Sequence, residues 1–154
     1  MSRSSLFAIR QLVADDVDLM RDLLRLLGEV FAEPETYQTR QPGDAYLKGM
    51  LDGNSFIALA ALADGEVVGG LVAYQLRKFE QERSEIHVYD LAVAEAYRRR
   101  GIATGLFEHL KAIAAERGVY LIFVQADYGD DPAIALYTKL GVREEVLHFD
   151  IEVT

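Results

Sequence analysis

Tyr97-Arg98-Arg99-Arg100-Gly101-Ile102-Ala103-Thr104-Gly105 decides the fold, because of what stands on either side of it. Upstream, Glu85-Ile86-His87-Val88-Tyr89-Asp90-Leu91-Ala92-Val93 is rich in β-branched and aromatic residues and has the length of a strand. Downstream, Ile102, Leu106, Leu110 and Ile113 recur at three- to four-residue spacing, which makes one apolar face of a helix. Three arginines at a helix start oppose the macrodipole, whose positive end lies there and prefers acids. The arrangement makes sense if a polyanion docks on that end, held by free backbone N–H groups, small residues and cationic side chains. In isolation Arg98-x-x-Gly101-x-Ala103 would equally suit a solvated basic loop. Its position between strand and helix favours phosphate binding.

Working outward, Phe7 to Leu12 reads as a first strand. Asp15 and Asp16 stand where helix-start acids belong, ahead of Val17, Met20, Leu23, Leu24, Leu27 and Phe31 on one face. Gly28 interrupts that helix at a cost of about 1 kcal/mol against alanine and suggests a bend. Ala32 to Gly43, with Pro34 and Pro42, has no periodicity and reads as a loop; Asp44 to Leu51 reads as a short helix. The acids Glu29, Glu33, Glu35 and Asp44 form either a solvated surface or one wall of a cleft for a polycation. Ser55 to Leu62 is a buried strand, Asp64-Gly65 a hairpin turn, and Val67 to Leu76 the returning strand. Gly69-Gly70 in that strand marks a close backbone approach or a bulge. Val119 to Ala126 is a further strand, Asp127 to Pro132 a loop, and the next helix ends near Leu140 with Gly141 as its C-cap. Glu144 to Val153 alternates polar and apolar residues and predicts a half-buried terminal strand. The order is β-α-α-β-β-β-α-β-α-β: an α/β single domain, 1–154, with a mixed central sheet flanked by about four helices.

A length of 154 residues suits one self-supporting core. Without cysteine the chain has no disulfide framework, thiolate metal site or thiol nucleophile, and no metal is expected. The absence of a spanning apolar run or a charged-then-apolar leader predicts a soluble, cytoplasmic protein with no membrane partner. A net charge of −9 argues against nucleic acid and suits a cationic substrate, although acidic excess also serves solubility.

Arg98-x-x-Gly101-x-Ala103 after Leu91-Ala92-Val93 resembles the acetyl-CoA signature of the GCN5-related N-acetyltransferase (GNAT) superfamily. Asp130-Asp131-Pro132-Ala133-Ile134-Ala135-Leu136-Tyr137-Thr138-Lys139-Leu140-Gly141 resembles its second signature, with Asp130 where asparagine is common and Val142 where phenylalanine is common. The match is closer still to the class I aminoglycoside 3-N-acetyltransferases, the gentamicin-resistance enzymes. It is carried by Ser55 to Ala61, Lys78 to Gln81, Tyr89 to Val93, Val124 to Pro132 and Arg143 to Asp150. The resemblance implies the GNAT fold, acetyl-CoA as cofactor and a homodimer. It places pantetheine along Leu91, Ala92 and Val93, with the Val93 N–H polarising the thioester carbonyl. The pyrophosphate then falls to the amides from Arg99 through Arg100, Gly101, Ile102 and Ala103 to Thr104, helped by the arginines from Arg98 onward. Tyr137 takes the role of acid to the departing sulfur. Asp130 is left with two roles, toward cofactor or toward substrate.

An ammonium must lose a proton before it attacks, and the acceptor needs reach above all. Asp90, His87 and Glu85 compete for that task on the central strand; the resemblance favours Asp90, which occupies the place of an amine-binding acid in polyamine-acetylating relatives. His87 aligns with the base position of histone- and serotonin-acetylating relatives. A polycationic sugar needs several carboxylates, because each ammonium gains a charge-assisted hydrogen bond. Asp127, Glu144 and Asp150 are the expected suppliers, with Tyr128 either stacking on a ring or filling its loop. The expected function is acetylation of the 3-amino group of an aminoglycoside such as gentamicin. The alternatives are another small cationic amine, such as a polyamine, or a non-catalytic acetyl-CoA-binding module.

Overall fold

The computed structural model describes residues 7–154. The elements follow in the order β1 (Ala8–Gln11), α1 (Val17–Val30), α2 (Asp44–Asp52), β2 (Phe56–Ala63), β3 (Glu66–Arg77), β4 (Ser84–Val93), α3 (Ile102–Glu116), β5 (Leu121–Val124) and α4 (Asp131–Leu140). They form one five-stranded sheet in the order β1-β2-β3-β4-β5, antiparallel except for the parallel β4–β5 pair. This is the α/β mixed sheet with four helices that the periodicities predict. Among the described residues, no helix is long and apolar enough to cross a membrane.

Two apolar layers hold the sheet. Ile57, Leu59, Leu71, Ile86 and Val88 pack with Ile102, Leu106 and Leu110 of α3 on one face. Ala58, Ala60, Val72 and Ala92 pack with Met20, Leu23 and Leu27 of α1 and Leu47 and Leu51 of α2 on the other. A strand between two helical layers has no solvent face, which explains the unbroken apolar run of β2. The two glycines of β3 answer to the same squeeze. A Cβ on Gly70 would lie 2.3 Å from Leu23 Cδ1 and 2.9 Å from the Leu59 carbonyl oxygen. One on Gly69 would lie 2.9 Å from Ile102 Cγ2. Close approach is therefore their role, and the β2–β3 ladder also shifts register directly beside Gly69, leaving Val68 as the extra residue. The hairpin turn is as read, with Asp64 and Gly65 both at positive φ.

Asp16 stands at the start of α1 as read, and is buried there: it accepts from Arg10 at 2.6 Å and takes the Val13 N–H at 2.9 Å, pinning β1 to α1. Two expectations need correction, and one holds. Gly28 does not interrupt α1, which runs through it to Val30; its missing side chain admits Gln38, whose Nε2 would sit 2.8 Å from an added Cβ. Gly141 is the C-cap of α4 as read, donating to Tyr137 O at 2.9 Å from extended backbone with a φ of −153°. The terminal strand does not form. Every residue from Thr138 to Thr154 is exposed, and no strand lies beyond β5. The alternating pattern is real, but a lone strand needs an edge to pair with, and this arm stands off from the nearest one.

Candidate active site

The site begins with a gap in the sheet. β4 and β5 pair from Glu85 opposite Leu121 to Val88 opposite Val124, and there β5 ends. β4 continues through Tyr89–Val93 with no strand paired on that side among the described residues. At the same point its register against β3 shifts: Val72 faces Asp90 and Ala73 faces Val88, leaving Tyr89 as the extra residue of a bulge. Beyond the bulge Ala94 donates to Val68 O at 2.8 Å. Ladder alternation then turns the N–H and C=O groups of Val93 and Leu91 away from β3, toward the gap. Arg98 Nε closes the far end by donating to Val93 O at 3.2 Å. A row of unpaired amides along an opened strand can hold an extended ligand that carries its own amide groups.

The turn into α3 supplies the anion end. Arg99 and Gly101 both sit at positive φ, 63° and 81°. No side chain caps the helix start, so the first-turn N–H groups of Ile102, Ala103 and Thr104 are unspent. Nothing lies within 4 Å of a Cβ placed on Gly101, so the space before these amides is open. Arg98, Arg99 and Arg100 are exposed around it, with the Arg100 guanidinium 4.9 Å above the Tyr97 ring. An uncapped helix end ringed by cations fits a pyrophosphate.

Asp90 stands half-buried at the mouth of the gap and accepts from the Tyr37 hydroxyl at 3.0 Å. Burial pushes its carboxyl above the usual value, the Tyr37 hydrogen bond pulls it partly back, and nearby Glu33 raises it further. Glu33, read as either surface or cleft wall, belongs to this acidic pocket. Tyr37 was invisible in sequence: it lies in a helical turn, Glu35–Thr39, inside a stretch read as loop, and its partner is 53 positions away. Burial and then Asp90 raise its own pKa, so it stays a donor.

His87 stacks on Phe123, with centroids 4.4 Å apart and planes 9° from parallel. It also meets Tyr89 edge-on at 5.9 Å. Burial lowers its pKa, partly offset by Glu85, so the imidazole is neutral at pH 7. Glu85 itself is engaged by Lys78 at 3.5 Å and by the Tyr120 hydroxyl at 3.2 Å. Asp90 combines a raised pKa with a place beside the gap.

Tyr137 comes from α4 on the α3 side of the sheet, opposite Asp90. It packs edge-on against Phe107 at 5.7 Å, and burial, with Asp130 adding, pushes its phenol up to about 12. It is protonated throughout the neutral range. Asp130 caps α4, accepting the Ala133 N–H at 3.4 Å.

The remaining sequence candidates are not gathered at Asp90. Asp127 and Tyr128 are exposed on the loop after β5, and Tyr128 donates to Glu145 at 2.9 Å. Glu144 and Asp150 lie on the free arm, where Asp150 meets only His148, at 2.9 Å. Among the described residues, the charged neighbour felt by Asp90 is Glu33.

Comparison with known families settles the class: residues 19–142 match the Acetyltransferase (GNAT) family. This chain belongs to the GNAT family. Members of that family use acetyl-CoA, and the opened strand and the uncapped turn of this GNAT domain fit its two ends. Over its whole length the chain is 59% identical to all of an aminoglycoside acetyltransferase from an uncultured soil metagenomic sample, with a TM-score of 0.95. A second soil-metagenome aminoglycoside acetyltransferase, solved with sisomicin, is 30% identical over 99% of this chain and 100% of its own, with a TM-score of 0.90. The N-alpha-acetyltransferase of Saccharolobus solfataricus is 30% identical over 146 residues, 90% of this GNAT chain and 81% of the relative.

Proposed function

We propose that this acetyltransferase acetylates an amino group of aminoglycosides, at the 3-amino position of gentamicin-type substrates. The full-length likeness at 59% identity to a soil aminoglycoside acetyltransferase carries this reading. In it, the α3 turn holds the pyrophosphate of acetyl-CoA and the outward amides of Leu91 and Val93 hold the pantetheine. Acetyl-CoA supplies the activated thioester. Asp90 draws in the substrate ammonium, takes its proton and leaves a neutral amine to attack. The Val93 N–H donates to the thioester carbonyl as negative charge develops there, a contribution of around 3 kcal/mol to the barrier. Tyr137, protonated at neutral pH, gives its proton to the departing sulfur from the opposite face of the sheet as the C–S bond breaks, and regains one through solvent from the second proton that the attacking nitrogen loses as the amide forms. The Asp90 proton passes to solvent. Glu33 adds a second anion for a polycation, as charge-assisted pairing of several ammonium groups requires.

A second reading, acetylation of a protein N-terminus, is favoured by the curated relatives at 30% identity. One assay separates them: thiol release from acetyl-CoA with gentamicin, sisomicin, kanamycin, spermidine and a short peptide with a free N-terminus as parallel acceptors. Saturable turnover of gentamicin and sisomicin, with NMR locating the acetyl group on the 3-amino nitrogen, is expected. Turnover of the peptide or of spermidine alone would move the substrate class while leaving the acetyl-CoA site intact.

A further inference from the structure

The open face of the sheet beside Asp90 is paved with rings. Phe123 of β5 stacks on His87 of β4, His87 meets Tyr89 edge-on at 5.9 Å, and Tyr89 meets Tyr74 of β3 edge-on at 5.8 Å. Four rings thus run without a break across three strands. Asp90 lies on the same face, because it pairs opposite Val72 and stands two residues from Ala92, both packed in the α1 layer. Two successive side chains, Tyr89 and Asp90, share a face because the bulge falls between Val88 and Asp90. Burial, then neighbours that include both Tyr89 and Asp90, raises the phenols of Tyr37 and Tyr74, so the carboxyl lies at the edge of the ring row. Cross-strand stacking accounts for part of the row, since His87 lies directly opposite Tyr74 in the ladder. It does not account for Tyr89. As the bulge residue Tyr89 has no residue opposite it, and it is 64% exposed. A large ring held on the surface at the mouth of the gap, next to a half-buried carboxyl, is free to meet a ligand.

We propose that these rings form the floor of the amine site, and that Tyr89 stacks on the C–H face of a saturated amino-substituted ring whose ammonium points to Asp90. The inference deepens the aminoglycoside reading and rests on it for the identity of the ring. Charge selects the occupant. An aromatic face is negative, and the hydrogens on carbons beside an ammonium are electron-poor, so a cationic ring gains by lying flat on Tyr89. His87, with its pKa lowered by burial, is neutral at pH 7 and adds no positive charge that would repel such a ligand. Asp90 and Glu33 supply anions at one edge of the floor, and the hydroxyls of Tyr74 and Tyr46 lie beyond Tyr89 within reach of a ring's own hydroxyl groups. A linear polyamine meets the carboxylates equally well, but it has no rigid face and loses more freedom on settling. The same holds for an extended peptide terminus. Tyr89 therefore discriminates ring from chain, a role separate from that of Asp90, which any amine needs.

The test compares wild type with Tyr89→Phe and Tyr89→Leu, both checked for folding by circular dichroism. With sisomicin as acceptor, Tyr89→Leu should raise KM about 10-fold while kcat stays within about 2-fold, because the stack is made equally in ground and transition states. Tyr89→Phe keeps the ring and should stay within about 2-fold of wild type in KM. An unchanged KM in Tyr89→Leu overturns the proposal and leaves the aminoglycoside reading standing. A loss shared equally by Tyr89→Phe also overturns it, since the hydroxyl and not the ring would then be at work. Proton NMR tests the floor without turnover. On titration into the full chain, the ring protons of 2-deoxystreptamine should move upfield with wild type and Tyr89→Phe but not with Tyr89→Leu, because only an aromatic face shields them. Wild type should also bind 2-deoxystreptamine about 10-fold more tightly than putrescine, and Tyr89→Leu should abolish that preference. No upfield movement with wild type overturns the floor. Upfield movement of 2-deoxystreptamine with no turnover of any aminoglycoside would leave the floor in place and remove the aminoglycoside reading, so the two fail separately.

Discussion

The two ends of the sheet are built on opposite terms. β2 is buried along nearly all of its length between α1, α2 and α3, while β5 is four residues long, half-exposed, and bare along one edge. Helices cover both faces at the first end. At the second, the α1–α2 layer stops short, leaving His87, Tyr89 and Phe123 in a row of touching rings on an open face. The closed end supplies stability and the open end supplies unsatisfied groups: amides without partners, a carboxyl raised in pKa, an arm without a sheet. A single chain can afford the second only because the first is complete.

The largest effect expected from breaking this contrast is catalytic. Asp90→Asn should lower kcat/KM for the amine by about 100- to 1,000-fold, within the usual range for a lost general base. It should also remove the acid limb of the pH profile. That limb reports an acid whose pKa is raised: Asp90 is uncharged below it and gains its role as pH rises through it. The limb therefore lies above the ordinary aspartate value, and finding it at or below that value in the wild type would remove Asp90 from the mechanism. Stability comes next. Leu59→Ala, in the fully buried β2, should cost about 2–5 kcal/mol in chemical denaturation, whereas Leu121→Ala on exposed β5 should change it by under about 0.5 kcal/mol in a single chain. Equal losses would contradict the division between the two ends. Gly70→Ala should cost about 1–3 kcal/mol, because the Leu59 carbonyl at 2.9 Å cannot retreat as the Leu23 methyl can.

Legibility followed the same division. The closed end could be read from sequence because burial leaves a local trace: the apolar run of β2, the stripe of α3 and the paired glycines of β3 each report their own surroundings. The turn between β4 and α3 was equally plain, since its strand, glycine and helix are consecutive. What the sequence does not show depends on partners far along the chain. Asp16 reads as a helix-start acid, but its burial and its bond to Arg10 emerge only where β1 and α1 meet. Glu144–Val153 carries the alternation of a strand, but alternation alone does not supply an edge to pair with. Asp90 does lie beside the gap, and the tyrosine that hydrogen-bonds to it was not seen at all.

That residue gives the smallest and most specific prediction. Tyr37 reaches Asp90 only because the turn carrying it lies flush on α1, and it lies flush because Gly28 has no side chain there: an added Cβ would be 3.2 Å from Tyr37 Cβ and 2.8 Å from Gln38 Nε2. The hydrogen bond lowers the Asp90 pKa against the upward push of burial. Removing it in Tyr37→Phe should therefore move the acid limb to higher pH, with a modest loss of turnover at neutral pH and little change well above the limb. Gly28→Ala should shift the limb in the same direction by displacing the turn, although residue 28 lies on α1 and approaches Asp90 only through Tyr37. The double variant should then shift no further than Tyr37→Phe alone, since both act through one hydrogen bond. Additive shifts would mean that the glycine serves the packing of α1 and that its effect on Asp90 runs by some other route.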